Sequence, residues 1–510
     1  MADAETSRGR VPDPDADVII VGAGPAGMAA AAELADAGCS VIVLDLQPSP
    51  GGQIYRGLES NLADKAEQAD LLAALGPSYS AGSTLIRRFR EATSIDYRTE
   101  TAVWELRADG TVGWLRGSKA GYLRGRHVLL ATGAMERPTP FPGWTLPGVM
   151  TAGAVQTLLK AGRLKPQGNI ILAGTGPLIL LLSEQLRRLG VRPAVIARTD
   201  QMGDSLKAIR YLCPNAVVPL VKGLGWLARL RLANIRLVSG ISGLVAEGAG
   251  KVETVGFYAG GRWFSHPCDL LVVHDGIVPA IDLAHGAGIA LEWNSAGASW
   301  QPTTSIDGTA TVRPDAGMDN QPCRIRITGD ARRIGGADAA IAHGKLAASA
   351  ILLDLKKADI DTGRGAKAAV NKALAVRPFL DAAFPPGLSA DPLDDDTIVC
   401  RCEELTAGVL RAQIIAEGRD IDRLRGETRC GMGPCQGRNC MITVARLVSE
   451  TGPASDLAPL PTFRARPPMR PLPLGALATL TGLGPSSAET RTLDDKPQYD
   501  AGETDHARAS

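Results

Sequence analysis

Cys400-Arg401-Cys402 and, after 32 intervening residues, Cys435-Gln436-Gly437-Arg438-Asn439-Cys440 gather four thiols into two tight loops, with Cys430 a fifth candidate between them. Five of the nine cysteines thus fall within 41 residues of a 510-residue chain. Soft thiolates in such a group suit a [2Fe–2S] cluster, in which each iron takes two cysteine sulfurs. Gly431, Gly433 and Gly437 leave the backbone free to curl round a cluster and to aim amides at its sulfurs. Structural zinc is the alternative for the same ligand type, although zinc sites favour Cys-x2–4-Cys pairs over a one-residue spacing. A cluster implies electrons in transit, so the rest of the chain is read for a source of them.

Near the start, the apolar run Asp17–Val21 leads into Gly22-Ala23-Gly24-Pro25-Ala26-Gly27, a helix former to Ala37, and a second apolar run Val41–Leu44 closing on Asp45. Strand, glycine loop, helix, strand and acid together make a dinucleotide-binding fingerprint. Gly22 serves the tight turn, Gly24 the approach of a pyrophosphate, Gly27 the packing of helix on strand, and Asp45 a ribose. Phosphates would meet the free amides at the helix start. Beyond the acid, Gly51-Gly52-Gln53 reads only as a loop, and the strand Arg126–Gly133 ends in small residues.

A second unit starts at Asn169–Ala173 and continues Gly174-Thr175-Gly176-Pro177-Leu178-Ile179, with Ile179 at the third glycine position. Its second strand ends at Arg198 where an acid is expected. Three readings follow: a remnant, a bound nucleotide such as ATP or NAD, or an NADPH site in which Arg198 meets the 2′-phosphate. Asp269–Gly276 and Arg324–Asp330 are further strands with glycine exits, and Gly335-Gly336 opens an alanine-rich helix to about Leu355.

The expected fold class is α/β, with two Rossmann-like dinucleotide-binding domains and a small helical cluster domain. The expected boundaries are a disordered 1–16, a first nucleotide domain at 17–150 and 266–356, and a second inserted at 151–265. A helical linker at 357–392, a cluster domain at 393–452 and a proline-rich, largely disordered tail at 453–510 complete the chain. Net charge +1, 21% charged and 4% aromatic residues argue against a nucleic-acid binder. The first 17 residues lack the apolar core of a signal peptide. The 18-residue uncharged run Pro166–Ser183 holds Gly174, Gly176 and Pro177, and reads as strand–loop–helix rather than a transmembrane segment. Clustered, odd-numbered cysteines indicate a reducing, cytoplasmic compartment. Cys39, Cys213, Cys268 and Cys323 read as core residues, His274, His285 and His343 as structural, and Glu403-Glu404 as a helix cap. No catalytic residue is assigned.

Taken together, Gly22-Ala23-Gly24-Pro25-Ala26-Gly27, Ala131-Thr132-Gly133, Gly174-x-Gly176 and Thr328-Gly329-Asp330 resemble the disulfide-reductase-like flavoproteins with two dinucleotide-binding domains. That resemblance implies FAD on Gly22, Gly24, Pro25, Ala26, Gly27 and Asp45. It puts Gly52 and Gln53 near the flavin, Thr132 and Gly133 near the adenine half, and Gly329 and Asp330 at the ribityl–phosphate region. The C-terminal stretch resembles a bacterioferritin-associated-ferredoxin-like [2Fe–2S] domain, which implies Cys400, Cys402, Cys435 and Cys440 as ligands and leaves Cys430 spare. With Glu136-Arg137-Pro138 and Phe141-Pro142-Gly143-Trp144, the whole is similar to the large, alpha-type subunits of bacterial opine oxidases, D-hydroxyproline dehydrogenases and hydrogen cyanide synthase. The resemblance implies a partner, a D-amino-acid-oxidase-like FAD subunit that oxidises a C–N bond, an optional small third subunit, and a respiratory electron acceptor. It also admits FMN at a subunit interface, ATP or NAD(P) in the second domain, and a peripheral position at the inner face of the plasma membrane. A self-sufficient NAD(P)H:acceptor reductase and a non-catalytic scaffold are the competing functions.

Overall fold

The computed structural model describes residues 14–312, 325–359, 361–450 and 462–480. Strand Ala16–Val21 is apolar and buried except at Asp17, and lies parallel between Val41–Leu44 and the second half of Lys119–Leu130. The long strand Lys119–Leu130 turns from an antiparallel partner, Thr111–Arg116, to parallel ones, Ala16–Val21 and Ile325–Ile327. The resulting sheet has seven strands, and helix Pro25–Asp36 packs against helix Ala337–Asp354 on one face. Gly344 makes that helix contact close, since a Cβ there would lie 2.2 Å from the Ala26 carbonyl oxygen.

The second sheet is parallel, in the order Arg236–Ser239, Val195–Arg198, Ile170–Gly174, Leu270–His274, Val149–Thr151. It therefore takes in Leu270–His274, which the expected boundaries gave to the first domain, and Val149–Thr151, which straddles them. The reason lies in Leu271–Val273, an apolar run buried on both faces, as a central parallel strand requires. A three-stranded antiparallel sheet, Ile241–Glu247, Thr254–Ala259 and Arg262–Pro267, lies beside it. A short ribbon of Ala134–Glu136 against Ile277–Pro279 joins the two nucleotide units.

The linker forms helices Arg364–Leu374 and Arg377–Ala383 before the cluster domain, whose helices are Ala407–Glu417, Ile421–Thr428 and Met441–Glu450. Of the tail expected to be disordered, residues 462–480 instead fold back. Phe463 and Met469 are buried, and Leu474–Leu480 is a helix. Apolar side chains spaced among the prolines give this stretch something to bury. Of the expected disorder at 1–16, Ala16 instead opens the first strand, paired with Gly125, whereas 1–13, 453–461 and 481–510, together with Cys323, lie outside the described residues. Among the described residues no helix is long and apolar enough to cross a membrane.

Candidate functional site

The first glycine loop is built by close approaches. Gly22 sits at φ +106°, where a side chain is strained, and a Cβ would lie 2.5 Å from the Ala131 carbonyl oxygen. A Cβ on Gly27 would lie 1.9 Å from the carbonyl oxygen of Gly22, which fixes helix against strand. Gly24 is different: its Cβ would meet only the Gly52 Cα, at 3.7 Å, so its bareness serves no protein neighbour. The helix begins directly after it with Pro25 in the first turn. Asp45 ends its strand buried, accepting from the Ala23 amide and, at 2.7 Å, from the Gln47 amide. Burial raises its pKa, against the pull of those two amides.

The other predicted cradle residues converge on the same edge. Gly52 lies against Gly24, where its own Cβ would come within 2.9 Å of the Gly24 Cα. The Gly133 carbonyl accepts from the Ala280 amide at 3.0 Å, and the Thr132 hydroxyl donates to the Ala280 carbonyl at 3.1 Å. Gly329 abuts Ala26, and Asp330 accepts from the amides of Gly335 and Gly336 at 2.8 and 3.1 Å. The Thr328 hydroxyl is buried there without a hydrogen-bond partner. A bare Gly24 and this orphaned hydroxyl on one edge fit a bound polar ligand of the dinucleotide type.

Sequence reasoning missed Lys160. Its ammonium is buried and donates to the Gln53 carbonyl at 3.1 Å and to Gln156 Oε1 at 3.2 Å. Burial, then the nearby Arg56 charge, lowers its pKa to about 8. The only signal was a lysine closing the otherwise apolar face of helix Ala152–Lys160.

At the second loop, Arg198 does not face outward for a phosphate. Its guanidinium is taken by Asp200, with Nε 3.0 Å from Oδ1. His274 donates or accepts through Nδ1 at 2.7 Å from Glu136 Oε1, and Glu136 Oε2 accepts from the Gly153 amide at 2.8 Å. The linker crosses the carboxyl ends of the strands here. The amides of Gly387, Leu388 and Ser389 all donate to the buried Asp275 carboxylate, at 2.8, 3.0 and 2.9 Å. Gly387 rests on Thr199, whose Oγ1 would lie 2.3 Å from a Cβ, and Leu388 joins the core with Ala173, Ala197 and Val273. In doubly wound sheets that edge is where a dinucleotide lies. Beneath the crossing, the hydroxyls of Thr175 and Thr199 are buried without a partner.

In the cluster domain, Cys400 ends strand Ile398–Cys400, Cys430 follows the left-handed Arg429, and Cys440 precedes helix Met441–Glu450. All three are buried, and their sulfurs lie within 4.8 Å of one another. Hydrogen bonds from Cys430 and Cys440 hold the Cys400 thiol far down, at about 2, whereas donating to Cys400 pushes the other two up. Cys402 is exposed and Cys435 half-buried, and the two thiols are hydrogen-bonded neighbours. The structure thus groups Cys430 with two of the four motif-spaced cysteines. A converging set of thiols is chemistry for a soft metal centre.

Phe463 lies over this loop, within 2.6 Å of where a Cβ on Gly431 or Gly437 would stand. The expected cap at Glu403-Glu404 is instead Thr406, whose hydroxyl accepts from Val409, because Glu403 is paired with Arg429 at 3.0 Å. Trp144 Nε1 donates to the Ile398 carbonyl at 2.7 Å, and Arg438 Nη1 to Asp282 Oδ2 at 3.2 Å, so the cluster domain is docked on both nucleotide units. Cys39 and Cys268 are buried with raised pKa values, that of Cys268 to about 11, as inert core thiols should be; Cys213 is half-buried.

The pyridine nucleotide-disulphide oxidoreductase family model matches residues 16–217, and the sarcosine oxidase A3 domain matches residues 396–480. The chain is 37% identical to the opine oxidase A-subunit of Agrobacterium tumefaciens over 96% of each chain. It is 32% identical to the HcnB subunit of hydrogen cyanide synthase from Pseudomonas aeruginosa, over 91% of this chain and 98% of that one. Among solved structures, L-proline dehydrogenase from P. horikoshii shares the fold, with TM-score 0.63 and 20% identity over 91% of this chain and 79% of that one.

Proposed function

The chain belongs to the opine oxidase A-subunit family, as one flavin oxidoreductase component with other subunits beside it, and we propose that it is the electron-transfer subunit of an amino-acid or opine dehydrogenase. The observation that carries this reading is one docked molecule holding both a dinucleotide cradle and a converging thiol pocket. FAD would rest on Gly22, Gly24, Gly27 and Asp45, with Gly329 and Asp330 alongside, and a [2Fe–2S] cluster would draw its ligands from Cys400, Cys402, Cys435 and Cys440. When bound, FAD takes up an electron pair and gives up single electrons, the unit a [2Fe–2S] centre carries.

The chain's own residues have distinct parts in this. Asp45 would orient a ribose, the Pro25 helix start would hold the pyrophosphate, and Lys160 would position the Gln53 loop. Phe463 and Gly431 would keep water from the inner thiols. A D-amino-acid-oxidase-like FAD subunit would bind the substrate and oxidise its C–N bond. The groove between Met135, Ile281, Trp300 and Phe463, rimmed by Arg438 and Arg464, suits a flat phosphorylated aromatic such as FMN at a subunit contact.

The NAD(P)H-reductase reading is disfavoured by the linker over the second loop and by Arg198 being held by Asp200. A shorter nucleotide such as ATP is the form left for Gly174 and Gly176. The acceptor would be respiratory, reached from the inner face of the plasma membrane. Supporting this, residues 202–232 present nine exposed large apolar side chains, Leu232 at 83% exposure, with five basic residues against one acid.

The test is anaerobic spectroscopy on the complex, challenged in turn with D-hydroxyproline, octopine, nopaline, glycine and NADH. Flavin bleaching and a reduced-cluster EPR signal from one amino acid or opine, and not from NADH, is the expected result. Bleaching of the isolated chain by NADH would overturn it.

A further inference from the structure

We propose that Cys430 is a competent reserve ligand: the inner half of the pocket offers three interchangeable thiols, Cys400, Cys430 and Cys440, of which one iron takes two, ordinarily Cys400 and Cys440, while Cys402 and Cys435 hold the other. The inference rests on the reading of this pocket as a [2Fe–2S] site. Motif spacing alone discards Cys430, but the fold does not.

Two thiolates on one tetrahedral metal, each at about 2.3 Å, stand about 3.8 Å apart. Cys430 Sγ and Cys440 Sγ are 4.0 Å apart, and with Cys400 all three sulfurs lie within 4.8 Å. The Cys430–Cys440 pair is at nearly the spacing of ligands on a common iron, and no pair with Cys400 exceeds that spacing by more than about 1 Å. A thiol serving only to fill the core would face aliphatic neighbours, whereas Cys430, fully buried, faces two other sulfurs. Three elements independently deliver these thiols: a strand end, the turn after helix Ile421–Thr428, and the start of helix Met441–Glu450. Loss of one therefore leaves the other two in place.

The outer pair has no such reserve. The Cys402 thiol meets both the thiol and the backbone amide of Cys435, and Gly433 packs on Cys402, where a Cβ would lie 2.3 Å from the Cys402 Cβ. The single remaining cysteine of the outer half, on either substitution here, is the partner itself. The pocket is thus redundant on its buried side and irreplaceable on its exposed side.

The experiment uses the full chain with its partner subunits, purified anaerobically, and reads iron and acid-labile sulfide per chain, visible absorbance, and EPR after dithionite. Cys430→Ala and Cys440→Ala should each keep close to two irons and two sulfides, the second with shifted EPR g-values as Cys430 takes its place. The double variant, and Cys402→Ala or Cys435→Ala, should lose at least nine-tenths of the sulfide while keeping parental flavin content. Cys440→Ala without cluster beside an intact Cys430→Ala would overturn the proposal. If Cys440→Ala does not fold, Cys400→Ala makes the same test, since it too should keep its cluster, and its loss would count equally against the proposal. Parental protein with zinc and no sulfide would instead overturn the cluster reading itself.

Discussion

Gly24 separates ligand binding from folding more cleanly than any other residue of the first loop. A side chain at Gly22 or Gly27 drives into backbone, at 2.5 and 1.9 Å, whereas one at Gly24 finds only Gly52 at 3.7 Å. Gly24→Val is therefore expected to lower stability by no more than about 1 kcal/mol, in the ordinary range for a site without a core clash, and yet to lose at least nine-tenths of the bound flavin. Flavin absorbance and a melting curve on the same preparation check this; full flavin content would place the pyrophosphate elsewhere. Gly22, Gly24, Gly27 and Asp45 were legible because the fingerprint imposes fixed spacing on short-range geometry. Lys160 was not, because its significance comes from Gln53, 107 positions away, and a helix pattern does not report what lies across a fold. Asp200 was illegible for a different reason: it captures Arg198 from two positions away, just beyond the strand end at which the motif stops specifying residues.

The linker is the element whose role was least legible. Residues 357–392 read from sequence as helical spacer, and two helices are indeed there. Composition could not show that Gly387–Ser389 places three amides on one carboxylate, since that depends on Asp275, over a hundred residues earlier. Asp275→Ala strands these amides in a buried setting. It should cost about 3 kcal/mol or more and render the segment near Gly387 open to proteolysis. Urea unfolding and limited trypsin digestion measure the two effects; an unchanged midpoint would mean that Leu388 alone anchors the crossing. Strands fared better at the level of type than of membership. Leu270–His274 was recognised as a buried strand, but which sheet it joins depends on pairing with Ile170–Gly174, information that no local window contains. The stretch 462–480 is the converse case, where proline content outweighed the few apolar residues that the fold buries.

For the molecule as a whole, the apolar and basic face of residues 202–232 predicts behaviour towards lipid. The complex should sediment with vesicles containing phosphatidylglycerol and much less with phosphatidylcholine alone. A Val221→Glu/Leu224→Glu variant should weaken the association at least tenfold, since both side chains are more than half exposed and no core packing is given up. Equal sedimentation of parent and variant would assign this face to another subunit. The two-domain architecture was readable from the repeated strand–glycine–helix units; how the parts are locked together was not. The ribbon between the two sheets illustrates this. Glu136 on it is tied to His274 and to the amide of Gly153, and Arg137 donates to the carbonyls of Asp275, Ala298 and Gly297. Side-chain ties at Glu136 and at the next residue, Arg137, brace the exit of this ribbon and restrain any hinge between the two sheets. If the proposed cofactors are seated as inferred, such bracing, with the cluster domain docked through Trp144 and Arg438, would favour electron passage over a steady tunnelling distance rather than by one half swinging to meet the other.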